Sequence, residues 1–474
     1  MVNQTMQVII IGAGAAGMMA ACAAAGSGAR VLLLEKNEKA GKKIYITGKG
    51  RCNFTNACET EDFFASVPRN PRFLYSSVYG FDPHAVMEWF EAHGVKTKVE
   101  RGLRAFPRSD HASDITRCLE REMERLSVEV RLNTEVKELL VREETETPAL
   151  TGGALDGTAE SSSGLEGPDE KSKLTSGRER PDEKPRRKQV YGVRLADGRK
   201  LRADRVIVAT GGLSYPSTGS TGDGFRFARG AGHTVSALSP SLVPFNVNEK
   251  DILKLQGLSL KNVSFTVFDH KRKLFHEMGE MMFTHFGVTG PLVLSASSVI
   301  QDQIAKGELR AQIDLKPALT EEKLDARILR EFDENRNRSF RNAVRGMYPS
   351  GLIPVIIGRC GIDPDRPVHD ITAAQRRELI RQTKAFELTV TSLRGFGEAV
   401  ITRGGVSVRQ IDPGTMESKL VKGLYFAGEV LDVDALTGGF NLQIAWSTGR
   451  AAGAAAAERI RQSKDRMKEA EYGF

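Results

Sequence analysis

Two stretches near opposite ends of the chain carry residues whose types and spacing suit a phosphorylated cofactor. The first is Gly12-Ala13-Gly14-Ala15-Ala16-Gly17, with glycines at GxGxxG spacing. Gly12 permits a tight turn, Gly14 lets the backbone approach a pyrophosphate, and Gly17 lets the following helix pack close to the preceding strand. The free N–H groups of that helix, with Ala15 and Ala16 in its first turn, suit phosphate charge. Glu35, with Lys36 beside it, follows about twenty residues later, where an acid accepts hydrogen bonds from the ribose of an adenine dinucleotide. The second stretch is Gly428-Glu429, then Asp432, Asp434 and Thr437-Gly438-Gly439-Phe440-Asn441-Leu442. An acid and a glycine-led helix start recur here. Glu429 or Asp432 is placed to bond ribityl hydroxyls. The helix start at Gly439–Leu442 is placed to face a flavin N1/C2 carbonyl, where negative charge gathers on reduction. A nicotinamide dehydrogenase has no need of this second element, whereas a flavoprotein has, so FAD is the expected cofactor.

Three further loops carry polar residues of interest. Gly41 to Asn56 is rich in glycine and lysine and reads as a loop. Its backbone donors, with Lys42, Lys43, Lys49 and Arg51, suit a dinucleotide's phosphates or an isoalloxazine edge, and Gly50 and Asn53 belong to the same run. Cys52 there offers a thiol, although a lone cysteine also serves as a small buried filler. Ala209-Thr210-Gly211-Gly212 ends an apolar run in small residues that let the backbone pass close to a cofactor, and Ser214 to Gly224 follows as a loop of small hydroxylated residues.

The elements that must hold these residues follow from periodicity. Gln7–Ile11, Arg30–Leu34 and Arg205–Val208 are short, continuously apolar runs of the kind buried in a parallel sheet. Helical spacing marks Pro83–His93, Asp114–Leu126, Glu321–Phe332, Gln375–Lys384 and the Ala-rich Ile444–Ile460. In a dinucleotide-binding architecture the turn near Val136 passes the adenine, which predicts a backbone contact there. Val263–Phe268, Glu280–Thr284, Ala311–Leu315 and Phe386–Thr391 alternate as strands do, and suggest a small β-barrel or sandwich. Residues 143–188 hold almost no large apolar side chain and should be disordered, as an insertion at a hairpin tip.

Composition sets bounds on this reading. A chain of 474 residues exceeds one core, and 40% hydrophobic with 27% charged residues is ordinary for a globular protein. No apolar run reaches the roughly twenty residues that span a bilayer. The first residues lead straight into a strand, which leaves no room for a signal peptide. Five cysteines, odd in number and without CxxC spacing, argue for reduced thiols in a cytoplasm and against a zinc cluster. The net charge of +8 is dispersed, so nucleic acid is not the expected partner, with Asn335–Arg345 the one basic run that would serve such a role.

The combined motifs resemble a bacterial flavoprotein family with two dinucleotide-binding domains, described variously as aminoacetone-oxidase-like and as 3-dehydro-bile acid Δ4,6-reductase-like. The resemblance rests on Thr47 to Asn56, Ala209 to Gly224, Met281 to Pro291, Thr402 to Val406 and Leu424 to Gly449. It implies an α/β fold: a Rossmann-like FAD-binding domain built from residues 1–242 and 403–474. A β-barrel domain, residues 243–318 and 369–402, would be inserted into it, with a small helical insert at 319–368. The implied cofactor residues are Gly12, Gly14 and Gly17 at the pyrophosphate and Glu35 at the ribose. Arg51 and Asn53 would lie near the flavin, Thr210 and Gly211 beside the cofactor, and Gly428, Glu429, Asn441 and Leu442 along the ribityl chain and ring.

With FAD the expected chemistry is hydride transfer at flavin N5, reducing an apolar ketone or a conjugated enone. Amine oxidation with return of electrons to dioxygen is the runner-up, and a flavin-containing RNA-binding or RNA-modifying protein is the alternative from another class. Enone reduction also needs a proton for the α carbon and a donor on the carbonyl. Tyr215, His285 and Arg403 are candidates because they sit in glycine-rich loops. Each has a plainer reading: a turn pin before proline for Tyr215, a packed histidine for His285, a backbone or phosphate clamp for Arg403. No second complete GxGxxG is present, so NAD(P)H is expected only as a transient hydride donor.

Overall fold

The computed structural model describes residues 7–143 and 188–472. The disorder expected over 143–188 therefore lies outside the described residues, apart from its two end residues. Glu143 and Lys188 form the last rung of the antiparallel pair Val136–Glu143 and Lys188–Leu195.

The glycine-led first strand becomes the centre of a five-stranded parallel sheet. Its order is Leu424–Phe426, Arg205–Val208, Gln7–Ile11, Arg30–Leu34, Glu129–Arg131. Ile9 stands opposite Val206 on one side and Leu32 on the other. The three inner strands are buried almost throughout, as a sheet covered on both faces requires. The edge strand Glu-Val-Arg is polar and mostly exposed, which suits a strand with one unpaired side.

Both chain ends contribute helices to this layer. The helix Ala15–Gly26 leaves the first strand, and the long helix Phe440–Tyr472 lies against it. Their alanines and glycines allow backbone contact. A Cβ added to Gly449 would stand 2.4 Å from the Ala16 carbonyl oxygen, and one on Gly453 would stand 2.2 Å from that of Ala20. The two glycines are one helical turn apart, so one face of the late helix is flat along the early one. Farther out, Trp446 is wholly buried and donates its indole N–H to the Phe54 carbonyl at 2.8 Å. Phe90 touches both rings edge-on, at 5.2 Å from Phe54 and 5.4 Å from Trp446.

A second hydrophobic core lies within residues 245–390. Six strands close a barrel in the order Phe245–Val247, Gly287–Thr289, Arg272–Phe283, Ser259–Asp269, Leu309–Asp314, Phe386–Leu393. Phe245, Phe265, Phe283 and Phe386 are fully buried in this core. Helices Glu321–Glu334, Ile353–Cys360 and Ala373–Lys384 share that core through Leu324, Ile328, Ile356 and Leu379. Thr372 and Gln375 cap the last of these reciprocally.

One local expectation changes. The passage from Gly41, read as a loop, begins with helical turns over Lys42–Ile46. Gly41 enters them from a left-handed conformation, and Gly48 and Lys49, both left-handed, end them. Glycines at both borders hid a short helix whose interior, Lys-Lys-Ile-Tyr-Ile, has ordinary helix formers. Among the described residues no helix is long and apolar enough to cross a membrane.

The helix contact gives a first prediction. Gly449→Val forces a branched side chain into the Ala16 carbonyl, and overpacking of this kind costs about 1–3 kcal/mol or more. The urea midpoint should fall accordingly, whereas Gly414→Ala, on an exposed turn, should leave it unchanged.

Candidate functional site

The cavity of interest opens where the parallel strands end. Its lining joins Gly12–Ala16 and Leu34–Asn37 with Lys43, Ile44 and Thr47. Thr134–Val136, Ala209–Gly211, Thr218–Ser220, Val400, Ile401, Ala427–Glu429, Val433, Asn441 and Leu442 also line it. Ligands bind at this position in open parallel sheets because the crossover helices diverge there.

At the first glycine turn the three glycines have different surroundings. An added Cβ on Gly12 would meet the Ala209 carbonyl oxygen at 2.7 Å, and on Gly17 the Gly12 oxygen at 1.8 Å. On Gly14 it would meet nothing within 4 Å. Gly14 is also the N-cap of the first helix and offers its N–H groups no side-chain partner. An uncapped helix end beside open space is a cradle for an anion. Glu35 lies over the turn: its Oε2 accepts from the Ala13 N–H at 2.8 Å and its Oε1 from Asn37 N at 2.8 Å. Lys36 reaches Asp223 at 2.7 Å.

At the other end of the cavity Glu429 ties four chain segments together. Its Oε2 accepts from Lys43 Nζ at 2.7 Å, and its Oε1 from Ser214 Oγ and Thr402 N–H, each at 2.8 Å. Most of the carboxylate's acceptor capacity is therefore used inside the protein. Asn441 acts as a clasp on the preceding loop. Its Oδ1 accepts from Ala435 N–H at 2.9 Å, and its Nδ2 donates to Ala435 O at 2.8 Å. Thr210 Oγ1, in the cavity lining, is buried without a hydrogen-bond partner. That orphan atom, the uncapped helix and the open face of Gly14 together fit a large polar cofactor with a diphosphate.

Of the sequence-derived positions, Gly12, Gly14, Ala15, Ala16, Glu35, Lys36, Lys43, Val136, Thr210, Gly211, Gly428, Glu429, Asn441 and Leu442 converge on this cavity. Gly17, Gly50, Arg51, Asn53 and Gly439 stand outside its lining. Gly17 and Gly439 serve packing instead, since a Cβ on Gly439 would be 2.3 Å from Thr55 O. Arg51 is bound by Glu100 and Asp110 and lies over the Phe106 ring, 4.2 Å from its centroid. Asp432 is likewise outside the lining and accepts from Arg69 Nη2 at 2.9 and 3.2 Å. Cys52 is wholly buried, and burial pushes its thiol up, which fits a filler and not a poised nucleophile.

The three candidate catalytic side chains do not meet. His285 is exposed on the turn after the Arg272–Phe283 strand, edge-on to Phe286. Tyr215 is left-handed at φ +50° and half-buried, and burial pushes its phenol up. Arg403 binds Gln301 at 3.1 Å and Asp302 at 3.2 Å on the barrel-side helix Pro291–Ile304. None of them lines the cavity.

Asp434 had drawn no role from sequence. It is 1% exposed, with neither carboxylate oxygen hydrogen-bonded, and Arg69 Nε stands 3.7 Å from Oδ1. Burial pushes its carboxyl up to about 6, against the pull of Arg69 and Arg403 and with a small push from Asp432. Of the groups that act on it, Arg69 comes from the opposite end of the chain and Arg403 from a separate strand, so spacing carries no trace of them.

Comparison with known proteins now identifies the chain's relationships. A family model described as HI0933-like protein Rossmann domain matches residues 6–156 and 171–455. The chain belongs to the HI0933-like Rossmann family. It is 33% identical, over 95% of its length and 98% of the relative's, to a 3-dehydro-bile acid delta(4,6)-reductase of Clostridium scindens. It is 29% identical, over 94% of its length and 96% of the relative's, to a protein of Escherichia coli named ribosomal RNA dihydrouridine synthase. Among solved structures, a 3-ketosteroid delta1-dehydrogenase of Sterolibacterium denitrificans, in complex with 1,4-androstadiene-3,17-dione, shares the fold. Its TM-score is 0.51 at 13% identity, covering 96% of this chain and all of that one. The protein is an FAD-dependent oxidoreductase of Rossmann-like α/β fold with a closed barrel.

Two measurements test the site. Gly14→Ala should leave the unliganded fold within about 0.5 kcal/mol of wild type yet abolish retention of FAD, while Gly17→Ala should destabilise the fold itself. Chemical denaturation and absorbance of the eluted flavin separate the two effects. For Asp434 the sign follows from a folded value raised above the ordinary 3.8. The native state holds the proton more tightly, so its contribution is full below about pH 4 and is lost as pH rises through about 6. Asp434→Asn should therefore be more stable than wild type at about pH 8, by about 2–3 kcal/mol, with the advantage gone near pH 4.

Proposed function

We propose that the protein reduces a carbon–carbon double bond conjugated with a carbonyl, on an apolar ring substrate of the dehydro-bile acid kind. The observation that carries this reading is the near full-length relationship to the Clostridium scindens reductase. The cavity supports it. Its lining includes an apolar rim of Val400, Ile401, Val433 and Leu442 beside Lys43 and Glu429. Gly12, Gly14, Thr210, Gly428 and Asn441 would hold FAD, with Glu35 on its ribose. When bound, FAD supplies a hydride from N5. The chain's own work is then to orient the alkene, to exclude water with the apolar rim, and to provide a proton. NAD(P)H is the proposed reductant, as a transient visitor.

A second reading is favoured by the Escherichia coli relative's name. Uracil carries a C5–C6 double bond conjugated with its C4 carbonyl, so saturating it is the same chemistry on another ring. In that case an RNA must reach the cavity, and phosphate contacts would make the reaction strongly salt-dependent.

The deciding experiment photoreduces the holoprotein without oxygen and follows the return of flavin absorbance. A 4,6-dien-3-one steroid should reoxidise it faster than dioxygen, an amine-derived imine or uridine-containing ribosomal RNA. Fastest return with RNA, lost at high salt, establishes the second reading. Fastest return with dioxygen after reduction by aminoacetone removes both.

A further inference from the structure

The end of the cavity at Glu35 holds a side chain to which spacing assigns nothing. Asn37 lies just past the strand Arg30–Leu34 and lines the cavity together with Glu35. Its backbone N–H and its Nδ2 both donate to Glu35 Oε1, at 2.8 and 2.7 Å. The same Nδ2 reaches across to the Thr218 carbonyl at 3.1 Å. These two acceptors fix which end of the amide carries the NH2 group, because an amide oxygen turned there would face a carboxylate and a carbonyl.

The carboxylate beside it is left with little freedom. Oε1 takes both Asn37 donors, and Oε2 takes the Ala13 N–H at 2.8 Å. A carboxylate offers about four lone-pair sites, so the acceptor capacity that remains is on Oε2. Asn37 also draws the neighbouring loops together. Its carbonyl accepts from Asn133 N–H at 3.0 Å, and the Glu35 carbonyl accepts from Thr134 N–H at 2.8 Å. On the other side Gly219 is left-handed at φ +100°, and a Cβ there would stand 2.4 Å from Asn37 Nδ2. The 218–219 backbone therefore rests directly on the amide. Lys36 adds a second tie to the same loop through Asp223, at 2.7 Å, and Thr221. Thr134, Thr218 and Gly219 all line the cavity.

We propose that Asn37 is a positioning residue for the adenosine half of FAD, holding the remaining acceptor of Glu35 toward the ribose and the 218–219 backbone against that end of the cavity. The inference rests on the placement of the ribose at Glu35. Without the amide, Oε1 loses one of its two donors, and the terminal torsion of a glutamate is soft enough for the carboxylate to turn away. The Thr218 carbonyl loses its partner in the same step. Both effects fall at one end of the cavity, so they are felt by ligands that carry adenosine. FMN ends at its phosphate and lacks the part that Glu35 would hold. Asn37 thus makes the site selective for the dinucleotide over the mononucleotide.

The test titrates the full-length protein, stripped of flavin, with FAD, FMN and ADP in turn, following flavin fluorescence and, for ADP, the heat of binding. Asn37→Ala should weaken FAD and ADP by the same factor, about 10-fold or more, and leave FMN within about twofold of wild type. Asn37→Asp keeps the size of the side chain but sets a second carboxylate against Glu35, so it should weaken both adenosine ligands further. The visible spectrum of bound FAD should be the same in all three proteins. Equal loss of FAD and FMN, as general support of the fold would give, overturns the assignment. So does wild-type affinity for ADP in either variant. Glu35→Gln separates the two levels of the argument. If it weakens ADP while Asn37→Ala does not, the ribose stays at Glu35 and the role of Asn37 falls. If Glu35→Gln leaves ADP unchanged, the placement of the ribose falls, and the inference with it.

Discussion

The early and late helices touch backbone to backbone, and the position of the cavity follows from that contact. Gly449 and Gly453 leave no room for a side chain against the carbonyls of Ala16 and Ala20. At this distance the start of each helix is fixed relative to the other by the rise and pitch of two rigid rods, not by flexible side chains. The phosphate cradle at Gly14 and the clasp at Asn441 are therefore held in one frame. Gly428 continues the logic, since a Cβ there would crowd the Ala16 side chain at 2.8 Å. Small residues matter here for the space they leave empty.

Polar residues then lock what the helices bring together. Glu429 joins Lys43, Ser214 and Thr402, drawn from three segments that otherwise share no regular element. Thr402 adds a second tie, its Oγ1 accepting from Leu213 N–H at 2.7 Å. A carboxylate serving several donors in a poorly solvated place forms strong hydrogen bonds and would leave costly orphans if removed. Asp434, nearby, is the reverse case: neither oxygen accepts a hydrogen bond, and only the longer ion pair with Arg69, at 3.7 Å, offsets its burial.

Much of the frame was legible in the sequence because it depends on local spacing. Continuous apolar runs gave the parallel strands, glycine spacing gave the turn at Gly12–Gly17, and alternation gave the barrel strands. The helix over Lys42–Ile46 was missed because flanking glycines made its surroundings look irregular. Arg51 illustrates a deeper limit: a cationic residue in a glycine-rich loop reads as a phosphate ligand, yet Glu100, Asp110 and the Phe106 ring hold it elsewhere. Glu100 and Phe106 lie on a separate small sheet whose proximity no spacing reveals. The same reason hid Asp434, since its character comes from burial beside Arg69 and Arg403, a feature of tertiary arrangement.

The order of the parts along the chain has a consequence for biosynthesis. All six barrel strands lie between residues 245 and 393, so that unit has every residue it needs before the ribosome reaches Leu424. The parallel sheet does not, because Leu424–Phe426 and the helix from Phe440 follow the barrel in the chain. A nascent chain thus carries a complete barrel sequence beside a nucleotide fold that lacks one of its strands. Until those later segments emerge the cavity is without Gly428, Glu429, Asn441 and Leu442, so flavin capture waits for the second glycine-led helix start.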